Sequence, residues 1–512
     1  MTLPSVLDPF FAIAHADPDR PAVIDNGVTV GYGQLARWAG AVADLVAGRT
    51  PPGAPPVAIH THHSVRDIAA VLGTLAAGRG YVPVGDGPAG HADRALKALG
   101  CREVITTAGT DRIPAVDRVL RPNWGRSHGP PRAAGEPVRP QDPAYVLFTS
   151  GSTGAPKAAV VPHGALHAVL PHLSRQYGVG PGTVALNFHR VDGDTSLEEI
   201  LPTLLAGGLV VLDEDSEADL DRVLTEHEVT LVNLPVDYWH LWTRHLLDTG
   251  RSLPGSVETV VIGGEAVRPD MLDRWRRLGA DHVVLLNTYG STETALVTHS
   301  AVLAGPGAPA DFPDGLPIGR PLPSVRQRVE PRPDAPHGSG ELLVAGPQLA
   351  TGYVDDPVRT AARFVESGPV GGAERWYRTG DLVSEGADGS LVFHGRVDHQ
   401  VKIRGHRVDL LDVEGALGAL PGVTAVAAVA HDKGEHTVLV AFVVPATGSH
   451  DVREPAAGGP PPDPAAAAAA LRERLRATVP GPFVPDRILV VPELAHTRTG
   501  KVDRAGTRDR YL

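Results

Sequence analysis

The chain has 512 residues, 42% of them apolar and 21% charged, with 59 acidic against 47 basic side chains and a net charge of −12. That length exceeds one ordinary hydrophobic core, so at least two domains are expected, and the composition excludes wholesale disorder. The acidic balance without a basic block argues against a nucleic-acid or anionic-membrane surface, while leaving room for an anionic cofactor in a local basic pocket.

The opening MTLPSVLDPFFAIAHADPDR lacks a basic segment leading into an apolar run, and nothing approaches the ~20 apolar residues of a membrane span. A cytoplasmic protein is expected, which also suits the single cysteine, Cys101. Helical periodicity over 34–47 and 65–77 flanks a β-branched run at Val57–His60, beyond which His60, His62 and His63 read as surface side chains rather than metal ligands. Residues 120–143, rich in Pro, Gly and Arg, read as a crossing loop. Strand-like runs follow at 145–148, Leu209–Leu212, 230–234, 259–262 and 282–286, with a helical stretch at 268–278. This alternation predicts α/β layers on largely parallel sheets. From about Gly315 to Arg396 short strands and turns predict a β-rich subdomain. A second unit then begins, with strands in VKIRGHRVDL, VTAVAAVAHD, HTVLVAFVVP and RILVVPEL, helices at 411–419 and 464–479, and a Pro/Gly-rich insert at 446–463.

The segment LFTSGSTGAPKAAVVPH, at 147–163, carries the most chemistry. A buried strand opens into hydroxyls at Thr149, Ser150, Ser152 and Thr153, glycines at Gly151 and Gly154, and one ammonium at Lys157. Glycine admits an anion close to the backbone, hydroxyls and N–H groups donate, and the lysine neutralises charge. The Walker spacing does not fit, because Lys157 follows proline and precedes alanine.

Further motifs appear in a fixed order around this loop: VTVGYGQLARWA, LAAGRGYVPV, DGDTSLEEI, NTYGSTET, GELLVAGPQLATGY, YRTGDL, GRVDHQVKIRGHRVDLLDVE, VPGPFVP and TGKVDR. Together they resemble the adenylate-forming superfamily and, within it, the amino-acid adenylation domains of nonribosomal peptide synthesis. The sequence departs from the usual pattern at Ala158, Gly193 and Ser291, where glycine, phenylalanine and proline are common. The resemblance implies a large N-terminal core, 1–396, of layered α/β subdomains plus a β-rich subdomain, and a small mobile α+β C-terminal domain, 397–512. It also implies activation of a carboxylate by ATP and Mg²⁺ as an acyl-adenylate, followed by capture on a thiol.

By this resemblance Lys501 would reach the carboxylate and α-phosphate, and Glu293 would hold Mg²⁺. Tyr289 would stack on adenine, Asp381 would accept from the ribose hydroxyls, and Arg396 would assist them. Gly264, Glu265, Asn287, Thr288, Gly290, Ser291 and Thr292 would complete the ATP site, with the loop from Thr149 to Lys157 on the pyrophosphate. Asp398 would be the hinge, with Lys402 and Gly405 serving the thiol-transfer state. Asp194 falls where members that activate amino acids pair with the α-ammonium. Thr195, Glu198, Asn233, Val261, Gly263, Thr288, Leu296 and Val297 would line the side-chain pocket.

Glu198 stands where most members have an apolar or aromatic group. A buried carboxylate calls for a cation, so a substrate with a second amino group is expected: lysine, β-lysine, ornithine or a shorter diamino acid. Thr195 with Glu198 and Ser196 with Glu199 both fit a helix capping box, and the alignment of motifs gives that role to Ser196 and Glu199, leaving Glu198 to the pocket. No pantetheine-attachment motif follows Lys501, so the thiol is expected on a separate carrier protein with a phosphopantetheine arm, with a small activator protein left open. A D-alanine–carrier ligase or other acid–thiol ligase, and a degenerate nucleotide-binding scaffold, are the alternatives. Replacing Lys501 by Ala should cut ATP–pyrophosphate exchange by about 10²–10³-fold, as for loss of one oxyanion donor.

Overall fold

Short apolar strands followed by helices with one apolar face bury both only if the helices lie across the sheet. The computed structural model follows that rule and describes residues 2–47, 55–85, 96–108, 116–125, 132–149, 157–332, 338–367, 373–397, 400–404, 406–433, 436–445, 464–496 and 502–512. Ser150, Gly151, Ser152, Thr153, Gly154, Asp398, Gly405, Lys501 and the insert 446–463 lie outside the described residues. Those up to Val397, apart from Thr149 and Lys157, form one compact unit; these two group with the residues from Gln400 onward in a second.

Among the described residues the first unit holds two sheets. One has seven strands, in the order Gly352–Tyr353, Lys157–Pro162, Pro143–Thr149, Tyr81–Val84, Val57–His60, Glu103–Thr106 and Arg118–Leu120. The other has 14 strands and changes character half-way. Pro21–Asp25, Leu209–Leu212, Val184–Leu186, Leu231–Pro235, Thr259–Gly263 and Val284–Gly290 run parallel. Beyond Val284–Gly290 the neighbours are antiparallel: Val297–Ala304, Pro317–Pro321, Leu391–Arg396, Glu374–Glu385, Ser339–Ala345 and Arg326–Pro331. The expected β-rich subdomain is therefore a continuation of the parallel sheet. The register sets Asn233 beside Val261, Val261 beside Leu286 and Gly263 beside Thr288, so these side chains share the carboxyl ends of adjacent parallel strands. That is where open α/β sheets bind ligands.

Most expected strands appear within a residue or two, while 282–286 proves to be Val284–Gly290, which carries NTYG within the ladder. The expected helix 268–278 is shorter, Pro269–Arg276, opening on proline and followed by Gly279 in the left-handed region. The histidine trio is a correction. His60 is buried and packs edge-on to His62 at 4.5 Å, and the backbone of this turn is held by Asp67, which accepts from His62 N at 2.9 Å and Ser64 N at 2.8 Å. The turn is thus a capping structure under the helix Val65–Ala76 rather than a surface strand end.

In the second unit the hairpin Gln400–Ile403 with His406–Asp409 precedes a three-stranded sheet of Val423–Asp432, Thr437–Pro445 and Arg487–Val490. The helices Leu410–Gly418, Pro464–Arg476 and Arg504–Tyr511 accompany it. Among the described residues no helix is long and apolar enough to cross a membrane.

The helices Tyr32–Ala47 and Val65–Ala76 approach closely at Gly73, where an added Cβ would lie 2.4 Å from Ala39 O and 2.5 Å from Val42 Cβ. Backbone cannot yield there as a flexible side chain would. We therefore expect Gly73→Ala to lower unfolding free energy by about 1–3 kcal/mol in chemical denaturation.

Candidate active site

The helix Thr195–Leu205 begins with Asp194 as its N-cap residue, whose side chain makes no capping bond. Neither proposed capping box closes, which corrects the role expected for Ser196 and Glu199. Ser196 Oγ instead donates to Gly193 O at 2.9 Å. Glu199, buried, accepts from Asn187 Nδ2 at 2.5 Å and from His189 Nδ1 at 2.7 Å. Local polar groups on the preceding loop are closer partners for Glu199 than the helix start is. Burial pushes the Glu199 carboxyl up, against the lowering effect of His189.

Glu198, four residues after Asp194 and on the same helix face, points inward and is 6% exposed. Its Oε2 accepts from Tyr177 Oη at 2.7 Å and from Asn233 Nδ2 at 3.3 Å. Its Oε1 has no hydrogen-bond partner among the described residues. Burial is the main cause that raises its pKa to about 8, and the charges of Asp194 and Glu199 add to it. Tyr177, buried, has its hydroxyl pushed well above its ordinary value by burial and then by Glu198. Tyr145 is fully buried, and its hydroxyl has no hydrogen-bond partner among the described residues. Val261, Leu296 and Val297 are buried beside the polar Asn233 and Thr288, and Thr195 is partly exposed. Gly263 has no room for a side chain, since a Cβ would lie 2.6 Å from Thr288 Oγ1.

At the end of Val284–Gly290 the chain turns back sharply. A Cβ on Gly290 would lie 1.8 Å from Leu296 O, so only glycine permits this closure. Ala295 and Leu296 sit in the left-handed region at φ 51° and 66°, a strained backbone of the kind found at functional sites. Buried Gln348 holds it by donating from Nε2 to Thr294 O and Val297 O, both at 2.9 Å. Ser291 N donates to Thr294 Oγ1 at 3.1 Å, so serine fills the usual proline position with a local turn bond. Within the turn Glu293 is buried, and its Oε1 accepts from Tyr353 Oη at 2.9 Å. The strand carrying Tyr353 pairs with Lys157–Pro162, Tyr353 opposite Ala159.

On the antiparallel side Asp381 faces Arg396 across the ladder and forms an ion pair with it. Its other oxygen accepts from Tyr289 Oη at 2.5 Å. Burial and then the Asp381 charge raise the Tyr289 hydroxyl well above its ordinary value. The Tyr289 ring packs edge-on to His299 at 5.7 Å. His299 is fully buried between Thr298 Oγ1 at 2.9 Å and Gln327 Oε1 at 3.1 Å, and burial lowers its pKa to about 4, so the ring is neutral. Asn287 Nδ2 donates to Pro317 O at 2.8 Å, a bond that ties the two halves of the sheet together. Gly264 and Glu265 follow the neighbouring strand, Gly264 with φ 87°.

One ensemble therefore gathers Asp194, Glu198, Asn233, Val261, Gly263 and Thr288, and another gathers Tyr289, Asp381 and Arg396, both anchored on Val284–Gly290 or its neighbours. Lys402 lies in the hairpin of the second unit, opposite Arg407. In that unit Arg504 grips Glu414 with two bonds of 2.7 Å. Sequence reading missed Tyr177, Tyr353, Gln348 and His299. Gln348 and Tyr353 lie within the motif GELLVAGPQLATGY but far along the chain from their partners, while Tyr177 and His299 lie outside the quoted motifs. Tyr353→Phe removes the donor on Glu293, and adenylate formation should fall about tenfold, measured by pyrophosphate exchange across a magnesium titration.

The AMP-binding enzyme family matches residues 10–354, and the AMP-binding enzyme C-terminal domain matches 412–501. The chain is 36% identical over 499 residues to the isonitrile lipopeptide synthase of Streptomyces coeruleorubidus, covering 94% of this chain and 32% of that protein. It is likewise 36% identical over 507 residues to the phenyloxazoline synthase MbtB of Mycolicibacterium paratuberculosis, covering 97% and 41%. The chain thus spans about a third to two-fifths of the length of these curated relatives. Among solved structures it superposes with a TM-score of 0.80 and 25% identity on an NRPS protein containing adenylation and PCP domains, bound to a vinylsulfonamide inhibitor, covering 99% of this chain and 84% of that one. Two matched family segments in order, on this fold, show the family: the chain belongs to the AMP-binding enzyme family.

Proposed function

We propose that the chain activates an amino acid bearing a second amino group, and that the product is passed to the phosphopantetheine thiol of a carrier protein. The observation that supports the substrate class is Glu198. It is a buried carboxyl with two neutral donors on one oxygen, no hydrogen bond on the other, and no ion pair among the described residues. Ionising it there costs free energy unless a cation arrives with the ligand. A distal ammonium is such a cation, while Asp194 takes the α-ammonium.

In the first reaction a carboxylate oxygen of the substrate attacks the α-phosphorus of ATP, the bond to the bridging β-oxygen breaks, and pyrophosphate leaves. Glu293 is the residue suited to hold Mg²⁺. It is a hard oxygen donor, and no cluster of three or more His, Cys, Asp or Glu stands ready for a metal among the described residues. Such an ion takes most of its ligands from phosphate and water. When bound it neutralises charge between two repelling anions. Asp381, paired with Arg396, accepts from the ribose hydroxyls, and Tyr289 offers its ring to adenine. Lys501 and the loop from Ser150 to Gly154 carry the roles their motifs imply. In the second reaction a thiol sulfur attacks the acyl carbonyl and AMP leaves. The solved relative that joins adenylation and PCP domains supports the carrier reading by similarity.

A second reading follows from the raised pKa of Glu198: a protonated carboxyl that donates to a neutral polar side chain. The two readings separate by pH and by one substitution. The distal ammonium needs Glu198 ionised, and in the empty pocket that ionisation is incomplete below about pH 8. The ratio of kcat/KM for lysine-type substrates to that for norleucine should therefore rise with pH, by up to about tenfold per unit, and level off above that value. Glu198→Gln should abolish this slope and cost the diamino substrate about 10²-fold. A flat ratio with retained selectivity in Glu198→Gln would favour the neutral donor.

A further inference from the structure

Asp194 and Glu198 are separated by one helical turn. Asp194 already has helical backbone angles, φ −72° and ψ −25°, and Glu198 follows four residues on. The axial rise between them is ~6 Å. Glu198 is then pinned from two independent elements. Tyr177 closes the helix His163–Gln176, where its N–H donates to Leu173 O at 2.9 Å, and its hydroxyl reaches Glu198 Oε2 at 2.7 Å. Asn233, in the strand Leu231–Pro235, binds the same oxygen. Tyr177 and Asn233 are themselves buried, so neither can follow if the carboxyl swings toward Asp194. The oxygen left for a ligand, Oε1, is consequently held at a fixed distance from the start of the helix.

We infer that this pinned pair is a length gauge: the pocket takes diamino acids whose ammonium groups stand about one helical turn apart, and Tyr177 is the positioning residue that sets the far mark. The inference rests on the function proposed above. Ornithine and β-lysine, with four carbons from one nitrogen-bearing carbon to the other, and lysine, with five, span both acids. 2,3-Diaminopropionate carries its nitrogens on adjacent carbons and reaches only one of the two acids.

The test is pyrophosphate exchange at pH 8 with the full chain and a series of 2,3-diaminopropionate, 2,4-diaminobutyrate, ornithine, lysine, β-lysine and norleucine. kcat/KM for the best of ornithine, lysine and β-lysine should exceed that for 2,3-diaminopropionate by at least about tenfold. Equal or greater turnover of 2,3-diaminopropionate, with all diamino acids still well above norleucine, overturns the gauge and leaves the proposed function standing. Norleucine equal to every diamino acid overturns both. In Tyr177→Phe the discrimination between long and short diamino acids should shrink several-fold, and the midpoint of the pH profile should move up, with KM for ATP unchanged. Full discrimination and an unmoved midpoint in that variant would remove Tyr177 from the role. If the variant folds poorly, Asn233→Ser, which deletes the other pin, is read against the same two quantities.

Discussion

The strand Val284–Gly290 is the constraint from which the candidate site hangs. On one side it pairs in parallel with Thr259–Gly263, on the other antiparallel with Val297–Ala304. The chain can reverse between these ladders only because Gly290 lets Leu296 O approach closer than any side chain would allow. That reversal places Glu293 in a buried turn, projects Tyr289 toward Asp381, and sets Val297 opposite Gly290. A strained pair at Ala295 and Leu296 is tolerated because the Gln348 amide satisfies the carbonyls on either side.

Buried acids in this protein meet three different fates, and the difference is chemical. Asp381 has a guanidinium across the ladder, so its charge is compensated within the fold. Glu199 has an imidazole and an amide, polar groups that fix its geometry and that of the loop before the helix. Glu198 has a phenol and an amide on one oxygen, enough to orient it but not enough to stabilise an ion. The incomplete case is the one for which a ligand cation is proposed. Incompleteness of this kind is what distinguishes a recognition group from a structural one, since a fully satisfied carboxyl has nothing further to gain.

Much of the architecture was legible because strand alternation and ordered motifs are local signals. Val57–His60, Leu209–Leu212 and the α/β alternation follow from β-branched runs and helical periodicity. Local reading went astray where a nearer tertiary partner outbid a local one. Ser196 and Glu199 have the spacing of a capping box, yet Glu199 finds Asn187 and His189 on a loop already in place. The trio at His60 looked exposed because a histidine-rich turn is polar, but Asp67 and Thr107 draw it inward. Tyr177 and Tyr353 were illegible for another reason. Tyr177 lies 21 residues before Glu198 and Tyr353 lies 60 residues after Glu293, and neither the helix end nor the close of the motif GELLVAGPQLATGY says which acid the hydroxyl meets.

The backbone ladder joining Leu231–Pro235, Thr259–Gly263 and Val284–Gly290 has a consequence for which of its side chains can change. Asn233 and Val261 are paired through their main chains, so their side chains can be exchanged while the registers with Val261 and Leu286 persist. Gly263 and Gly290 have no such latitude, because each is pressed against a neighbouring strand or turn. The strand register therefore constrains the glycines more than it constrains Asn233 and Val261. A ladder built this way can exchange such side chains one at a time while its strand register persists.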